Sequence, residues 1–437
     1  MEEAKIRKNN MKIYPFYRML SMDLLFFYAI EFLFITQVKG LSASDFMIGQ
    51  VFYALFSVIL QISSTLLIEK IGVKKSTILA NFFNMCFLVG ILCSNQLWIL
   101  ILAQFMSAMC FSIKNTSETT LLNYSIPESA NKGEIYSRLE GRGERRYFIG
   151  NAITSIIAGI LYGINPYYAI IASLVVVIIT TIISFQFKDI EQFMEEPKET
   201  LPLGKEIQKG WKELKEGFKT ILRSERLRSL LLYVGIVWGV YWLINGTYRS
   251  SGLEEIGVSP FVMSIIASIC YLASAIGSKK QLAIHKHFRN KTLTFLLILM
   301  LISILVVALT GILHIHTTAT LIIYTVGFAC LYAAIGAYNV VIKRYLANFA
   351  GKKILPKIYA TKSIVENLGR VMIGIFGAYL FTLTDTANSM MIIGIMLAII
   401  TISVIGYMKP RVGIKPEKKH AQKIHMNEQN EGGNKHD

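Results

Sequence analysis

Long apolar stretches alternate with short polar breaks along almost the whole chain. Each stretch is about 20 residues long, roughly what one helix needs to cross a bilayer. A soluble protein would bury a few such runs in its core and would not repeat them end to end. Because open sheets cannot satisfy their backbone hydrogen bonds in lipid, the pattern predicts an all-α polytopic membrane protein.

We predict twelve transmembrane helices, arranged as two six-helix pseudo-repeats. Spans one to six are predicted at 15–37, 46–68, 76–95, 97–121, 145–164 and 167–187. Spans seven to twelve are predicted at 229–250, 258–279, 292–312, 317–341, 362–383 and 387–408. Lys70 and Lys75 after span two match Lys286 and Lys291 after span eight. This match favours two parallel repeats with a substrate site near the midplane between them.

The spans divide the chain into four segments. Residues 1–187 form the N-terminal six-helix half, and 229–408 form the C-terminal one. Between them, 188–228 is predicted to be a cytoplasmic linker, and its apolar stripe predicts an amphipathic helix on the membrane surface. The stripe consists of Ile207, Trp211, Leu214, Phe218 and Ile221. The polar, basic segment 409–437 is predicted to be a disordered cytoplasmic tail.

Composition agrees with this class: 53% of the residues are hydrophobic and only 17% are charged. A net charge of +17 could suggest nucleic acid as a partner, but the basic residues are spread over many loops. If there are twelve spans, most of the basic residues face one side of the membrane, and only Lys39 and Arg249 fall near the other side. The positive-inside rule then predicts a multi-pass protein of the cell membrane with both termini in the cytoplasm.

The sequence carries no enzyme signature. There is no HExxH, no GxSxG and no glycine-rich phosphate loop, and no segment is long enough to be a nucleotide-binding domain. The five cysteines lie in apolar spans, without the spacing of a zinc site or a disulfide framework. We therefore expect no enzymatic activity, no cofactor and no metal site.

Ionisable residues inside the spans are the first candidates for function, since each costs roughly 2.5–3.5 kcal/mol on insertion scales. Asp23 and Glu31 lie in span one, and Lys114 and Glu118 lie one turn apart in span four, where they can pair. We predict Asp23, Glu31 and Glu118 as proton-coupling candidates, and helix–helix hydrogen bonding is the alternative. Whether Lys114 holds a substrate anion or only neutralises Glu118 stays open.

Span eleven repeats the same spacing with Glu366 and Arg370, which we predict to be a structural or gating pair. Arg18 lies near the inner end of span one and is expected to snorkel to the membrane surface.

Aromatic and amide side chains supply the rest of a predicted cavity. Together with Lys114, the substrate-cavity candidates are Trp238, Tyr241, Trp242 and Asn245 of span seven and Tyr332, Tyr338 and Asn339 of span ten. Their rings suit a hydrophobic or aromatic substrate and could hold a cation by cation–π contact. The alternative is an interfacial aromatic belt.

Three stretches resemble the major facilitator superfamily. The loop TLLIEKIGVKK after span two is similar to the family's G-x-L-A-D-R-x-G-R-K, although Thr65 and Val73 depart from it. The matching positions are Leu67, Glu69, Lys70, Gly72 and Lys74. In the family the acidic residue holds the inner gate shut, so the resemblance implies a gating role for Glu69, Lys70, Gly72 and Lys74. We also predict Arg142 and Arg145, in the basic loop before span five, to act in gating.

Span five resembles the glycine motif of antiporter members, with Gly141, Gly150 and Gly159 in register as helix-packing positions. The motif's proline is replaced by Ser155. The stretch TSETTLLNYSIPE at the end of span four looks like bacterial members labelled as drug or macrolide exporters.

The resemblance implies a secondary transporter in the lipid bilayer that rocks two halves around a site for a small molecule. We predict proton-coupled efflux of a small amphipathic compound by a monomer, with no nucleic-acid partner. The alternatives are proton-coupled uptake of a nutrient or metabolite, a lipid flippase, or a substrate sensor on the same fold.

Overall fold

The computed structural model describes residues 2–22, 25–127, 132–188, 190, 224–313 and 317–408, together with 212, 215, 219 and 222. Every regular element in these residues is helical, which confirms the predicted all-α class. The helices of spans two to six are Ala43–Ile71, Val73–Leu92, Leu97–Ser125, Lys132–Ile164 and Pro166–Phe185. Those of spans eight, nine and twelve are Pro260–Phe288, Thr292–Ile312 and Thr386–Met408. The apolar stripe of the linker and the tail 409–437 lie outside the described residues.

Local capping residues explain where several of these helices begin. Ser42 accepts a hydrogen bond from the backbone N–H of Asp45, whose carboxylate accepts one from the N–H of Ser42, which is a capping box. Asn165 caps span six, where Pro166 occupies the first turn. Gly72 has a φ of 86° between spans two and three, a conformation that glycine adopts without a steric penalty. These short turns make consecutive spans antiparallel neighbours.

Span one is broken, although the sequence predicts a continuous helix over 15–37. A helix runs from Glu2 to Ser21, and helical structure resumes as Glu31–Leu33 followed by a π-helical turn, Phe34–Val38. Between them Phe26 has a φ of 71°, in a region where bulky residues are rare. Eleven helices of the described part are long and apolar enough to cross a membrane, and span one is not among them because of this break.

Span seven has a similar irregularity. Its helix Glu225–Leu243 passes into a π-helical turn, Ile244–Tyr248, and then into a short helix, Arg249–Glu255. Such π turns often occur at functional sites. Spans one and seven are the first spans of the two halves, so both halves carry this irregularity in the same span.

Spans ten and eleven lie within one helical stretch, Thr317–Leu383, whose apolar parts are Thr318–Ile342 and Thr361–Leu383. The two parts run in opposite directions. Tyr324 at the start of span ten and Gly377 at the end of span eleven both contact the last turns of span seven. Tyr345, beyond span ten, instead packs against His285 at the far end of span eight.

The two halves share an apolar cluster at one end of the bundle. This cluster contains Phe46 and Leu100 of the first half together with Leu253 and Tyr324 of the second. At the opposite end, one cluster around Tyr14 contains only first-half residues, and another around Leu230 contains only second-half residues. The side chain of Gln37 also donates to Glu254 across the halves at 2.7 Å. We call the shared end the closed end and the other, which carries Tyr14 and Met408, the terminal end.

Candidate functional site

A cluster of charges, of which Glu118 is buried and Arg18 and Glu140 are half-buried, joins spans one, four and five near the terminal end. Nη1 of Arg18 donates to Oε2 of Glu118 at 2.6 Å, and its Nη2 lies 3.2 Å from Oε1 of Glu140. Tyr14 donates to the other Glu140 oxygen at 2.6 Å. Span five can approach Arg18 because a Cβ on Gly143 would lie only 2.7 Å from the Cγ of Arg18. We call this group the Arg18 cluster, and among the described residues it holds two carboxylates for one guanidinium.

The cluster corrects two expectations from the sequence. Arg18 does not snorkel to the surface, because its side chain is 12% exposed and forms ion pairs inside the first half. Glu118 is fully buried and pairs with Arg18 rather than with Lys114, one turn away. The Oε2 of Glu118 therefore pairs with a charge on a neighbouring helix, while its Oε1 is buried without a hydrogen-bond partner among the described residues.

Lys114 has a different partner, the break in span one. Its Nζ donates to the carbonyl oxygen of Ser21 at 3.2 Å and lies 5.8 Å from the ring centroid of Phe111. Ser21 is the last residue of the first helix, where carbonyls are unsatisfied and the helix dipole is negative. Lys114 therefore caps the broken helix.

Glu31 lies on the far side of the same break. It is buried and accepts a hydrogen bond at 3.0 Å from the amide of Gln50, which is buried on span two. Asp23, the other candidate carboxylate of span one, lies outside the described residues.

Arg370 of span eleven lies among aromatic rings from both halves. Its guanidinium carbon is 4.7 Å from the ring centroid of Trp242, 5.5 Å from that of Trp238 and 5.9 Å from that of Tyr53. Tyr53 belongs to span two, and its ring is parallel to that of Trp242 at 5.9 Å. We call these three rings with Arg370 the Arg370 cage. The cation that sits on the predicted aromatic face is thus the protein's own arginine.

Glu366 does not pair with Arg370 as predicted. Its carboxylate lies 2.5 Å from Nζ of Lys362, one turn in the other direction along the same helix. The negative charge of Glu366 is therefore already balanced by an adjacent lysine.

The π turn of span seven brings Asn245 to span ten. Nη1 of Arg249 donates to the hydroxyl of Tyr332 at 2.7 Å, and this hydroxyl contacts the amide oxygen of Asn245. Tyr241 packs edge-on against Tyr332, with ring centroids 5.5 Å apart. Arg249 is 3% exposed, although the sequence places it near a membrane face.

The remaining cavity candidates do not all reach an open surface. Tyr338 is fully buried, 5.8 Å from the ring of Tyr233 inside the second half. Asn339 is half-buried, as are Trp238, Tyr241 and Trp242. The half-buried aromatic residues of span seven are therefore better placed to contact a ligand than Tyr338.

The predicted gating residues lie at the terminal end of the first half. Lys70, Arg142 and Arg145 are exposed and Lys74 is half-buried. Gly72 makes the turn, while the side chain of Glu69 lies outside the described part of the structure. Gating by these residues stays a prediction.

The three glycines of span five differ in their surroundings. A Cβ on Gly159 would lie 2.5 Å from Oγ of Ser264, so spans five and eight meet closely at the closed end. A Cβ on Gly150 would make only an ordinary contact, at 3.9 Å to Met19. Gly141 lies in the span-five helix, but its contacts are not described.

Sequence reasoning did not single out four residues that belong to the surroundings of Arg18, Glu31 and Arg370. They are Tyr14, Gln50, Tyr53 and Glu140. Gln50 is a polar residue within an apolar span, which is a usable signal, whereas the others look like ordinary aromatic or loop-proximal residues. Among the described residues no three His, Cys, Asp or Glu converge in a way that could hold a metal ion.

Two six-helix halves that enclose charged side chains and join at one end are the architecture of a secondary transporter. Residues 16–339 match the Major Facilitator Superfamily, so the chain belongs to that family. It is a multi-pass membrane transporter and not an enzyme.

Solved transporter structures share this fold. The nucleoside transporter NupG gives a TM-score of 0.70 at 9% identity, covering 92% of this chain and 99% of that one. A point mutant of NupG gives a TM-score of 0.72 at 9% identity, with the same coverage. A POT family transporter in complex with 5-aminolevulinic acid gives 0.67 at 13% identity, covering 93% of this chain and 96% of that one. A comparison with curated proteins found no significant match. These identities show the fold alone.

Proposed function

We propose that the chain is a proton-coupled transporter that exports a small amphipathic compound across the cell membrane by alternating access, as a monomer. The asymmetry of the apolar clusters supports alternating access, since the halves share a large cluster at the closed end and a small one around Ala152 and Ala267, and keep separate clusters at the terminal end. With both termini in the cytoplasm, as the positive-inside rule predicts, this arrangement corresponds to an inward-facing state.

The Arg18 cluster is the observation that supports proton coupling. Among the described residues, Glu118 and Glu140 share one guanidinium, so the cluster as described has one carboxylate in excess. A proton on either carboxylate leaves one matched ion pair, whereas an unmatched charge in a membrane interior is costly. Since the cluster joins three spans, a change in their packing changes the distances between its charges. Glu31, held by the neutral amide of Gln50, is a second candidate for the same role.

Export is the direction we propose, and it rests on the exporter-like stretch at the end of span four. Uptake, lipid flipping and sensing without transport are the other outcomes that an experiment must separate.

The test is flux in proteoliposomes under an imposed pH gradient, with a chemically mixed panel of small amphipathic compounds. We expect a gradient that is acidic on the extracellular side to drive export of at least one compound, and Glu118→Gln and Glu140→Gln to reduce the dependence on the gradient. Glu3→Gln is the matched control, because Glu3 also pairs with an arginine, Arg7, at 2.7 Å, but at the surface.

Each other result has a distinct meaning. Flux that ignores the gradient in the wild type refutes proton coupling, and substrate movement in the same direction as the protons indicates uptake. Absence of flux for every compound, lipids included, contradicts a transport function and favours a sensor. Unchanged coupling in both cluster variants refutes the role of the Arg18 cluster.

A further inference from the structure

We infer that the Arg370 cage binds the substrate's anionic group, so that the transported compound carries an oxyanion, either carboxylate or phosphate, attached to a flat apolar part. This inference rests on the proposed transport function and specifies its substrate class.

Arg370 faces the space between the halves and not lipid. The exposed large apolar residues of span eleven share one face of the helix, and they are Leu368, Met372, Ile375, Tyr379 and Leu383. Arg370 is two residues from Leu368 and two from Met372, so at 100° per residue it lies about 200° away from each. Its ring contacts come from span two of one half and span seven of the other. The partial exposure of its side chain is therefore exposure to the inter-half space.

Arg370 also hydrogen-bonds the Tyr53 hydroxyl, but among the buried or half-buried arginines and lysines described within the spans it combines partial exposure with the lack of a carboxylate or carbonyl partner. Arg18 is held by two carboxylates, Lys114 by the Ser21 carbonyl, and Arg249 by the Tyr332 hydroxyl. Within the described part of the chain, no carboxylate lies within 4.0 Å of the Arg370 guanidinium, and the nearby Glu366 is paired with Lys362.

The guanidinium still has unmet hydrogen-bonding capacity. Its Nε is buried and has no hydrogen-bond partner among the described residues. The Tyr53 hydroxyl accepts one hydrogen bond from the guanidinium, and the ring faces attract a cation but provide few further acceptors for its five N–H donors. A carboxylate or phosphate supplies both the opposite charge and two acceptors in a geometry that matches arginine.

The rings around Arg370 define the rest of the ligand. Tyr53 and Trp242 lie parallel, with an interplanar angle of 1°, and Trp238 continues the aromatic surface to Tyr241 at 5.4 Å. A flat apolar group can pack on these faces while its oxyanion reaches Arg370. Since Tyr53 belongs to the other half, opening the closed end would take one ring away from the site and weaken binding there.

The test compares four naphthalene derivatives that differ only in the polar group: naphthoate, naphthyl phosphate, naphthamide and naphthylmethylamine. Binding to the purified full chain in detergent is measured by calorimetry, which needs no pH gradient. We expect one or both anions to bind about tenfold to hundredfold more tightly than the amide, the range of a charged hydrogen-bonded contact. The tighter of the two anions identifies the oxyanion.

Variants assign the preference to the cage. We expect Arg370→Gln to bind anion and amide equally, and Arg370→Lys to keep part of the preference because lysine retains the charge but not the fork of donors. Arg228→Gln is the matched control, since Arg228 also lies over a tyrosine ring, Tyr407 at 6.0 Å, but within the second half. Thermal unfolding identifies any variant that fails to fold. If Arg370→Gln fails to fold, the comparison of Arg370→Lys with the wild type still tests the inference.

Three results would overturn the inference: equal binding of anions and amide to the wild type, no binding of either anion, or tighter binding of the amine. Equal loss of preference in Arg228→Gln and the Arg370 variants would do so as well. The proposed function fails separately, through gradient-independent flux in proteoliposomes, and that failure leaves an anion preference in detergent intact.

Discussion

Spans eight and ten approach so closely that a single methyl group should separate them. A Cβ added to Gly277 would lie 2.0 Å from the carbonyl oxygen of Ala333, and one added to Gly336 would lie 2.0 Å from that of Ser274. Ordinary contacts begin at 3.4 Å, so either alanine requires a displacement of 3.4 − 2.0 = 1.4 Å between two backbones. Backbone carbonyls cannot rotate away as flexible side chains do.

We expect Gly277→Ala and Gly336→Ala each to lower the free energy of unfolding by about 2 kcal/mol. Overpacking typically costs about 1–3 kcal/mol, and a backbone clash belongs at or above the upper end of that range. The higher helix propensity of alanine recovers at most about 1 kcal/mol. The double variant should cost less than the sum, because helices already separated by one methyl group accommodate the second.

The assay is equilibrium unfolding in mixed micelles, with thermal unfolding as a second readout. Gly406→Ala is the control, since a Cβ at Gly406 of span twelve would have no neighbour within 4 Å. It should be neutral or slightly stabilising. If the Gly277 and Gly336 variants unfold with the midpoint of Gly406→Ala, spans eight and ten are not in backbone contact and the reasoning fails.

Three further predictions follow from single contacts. Gln37→Ala removes the bond to Glu254 at the closed end, and we expect spin-label distances across that end to show a roughly twofold to fivefold shift toward separation, since exposed hydrogen bonds contribute about 0.5–1 kcal/mol. An unchanged distance distribution would contradict this. Lys114→Met leaves the Ser21 carbonyl without its cap and should destabilise the chain by about 1–3 kcal/mol, whereas Lys114→Arg should be milder; equal midpoints would refute the capping role. Ser42→Ala should cost about 1 kcal/mol in unfolding, and no loss would mean that the capping box does not stabilise span two.

The positions of most spans could be predicted from the sequence because the signals are local. Span nine, predicted at 292–312, is observed as Thr292–Ile312, and span twelve, predicted at 387–408, is observed as Thr386–Met408. Long apolar runs and short capped turns determine such boundaries without information from distant parts of the chain. The break in span one was missed, since its apolar residues continue through the positions where the helix stops.

Charge partners could not be predicted in the same way, because they depend on how helices rotate and pack. Lys362, Glu366 and Arg370 form a row at i, i+4 spacing, so the sequence offers Glu366 two equivalent partners. Arg370 instead contacts aromatic rings from spans two and seven, so that Glu366 pairs with Lys362. Similarly, Arg18 and Glu118 are 100 residues apart, beyond the reach of any local rule.

The broken first span also makes the order of synthesis important. The carbonyl of Ser21 finds its partner in Lys114, 93 residues later, and that of Leu25 finds its partner in Ser173, 148 residues later. While the chain emerges from the ribosome, these two carbonyls of span one therefore lack these partners until spans four and six have been made. Exposing unpaired backbone carbonyls to lipid is costly. We expect span one to remain next to the translocon until spans four and six arrive, so that the first half inserts as a unit.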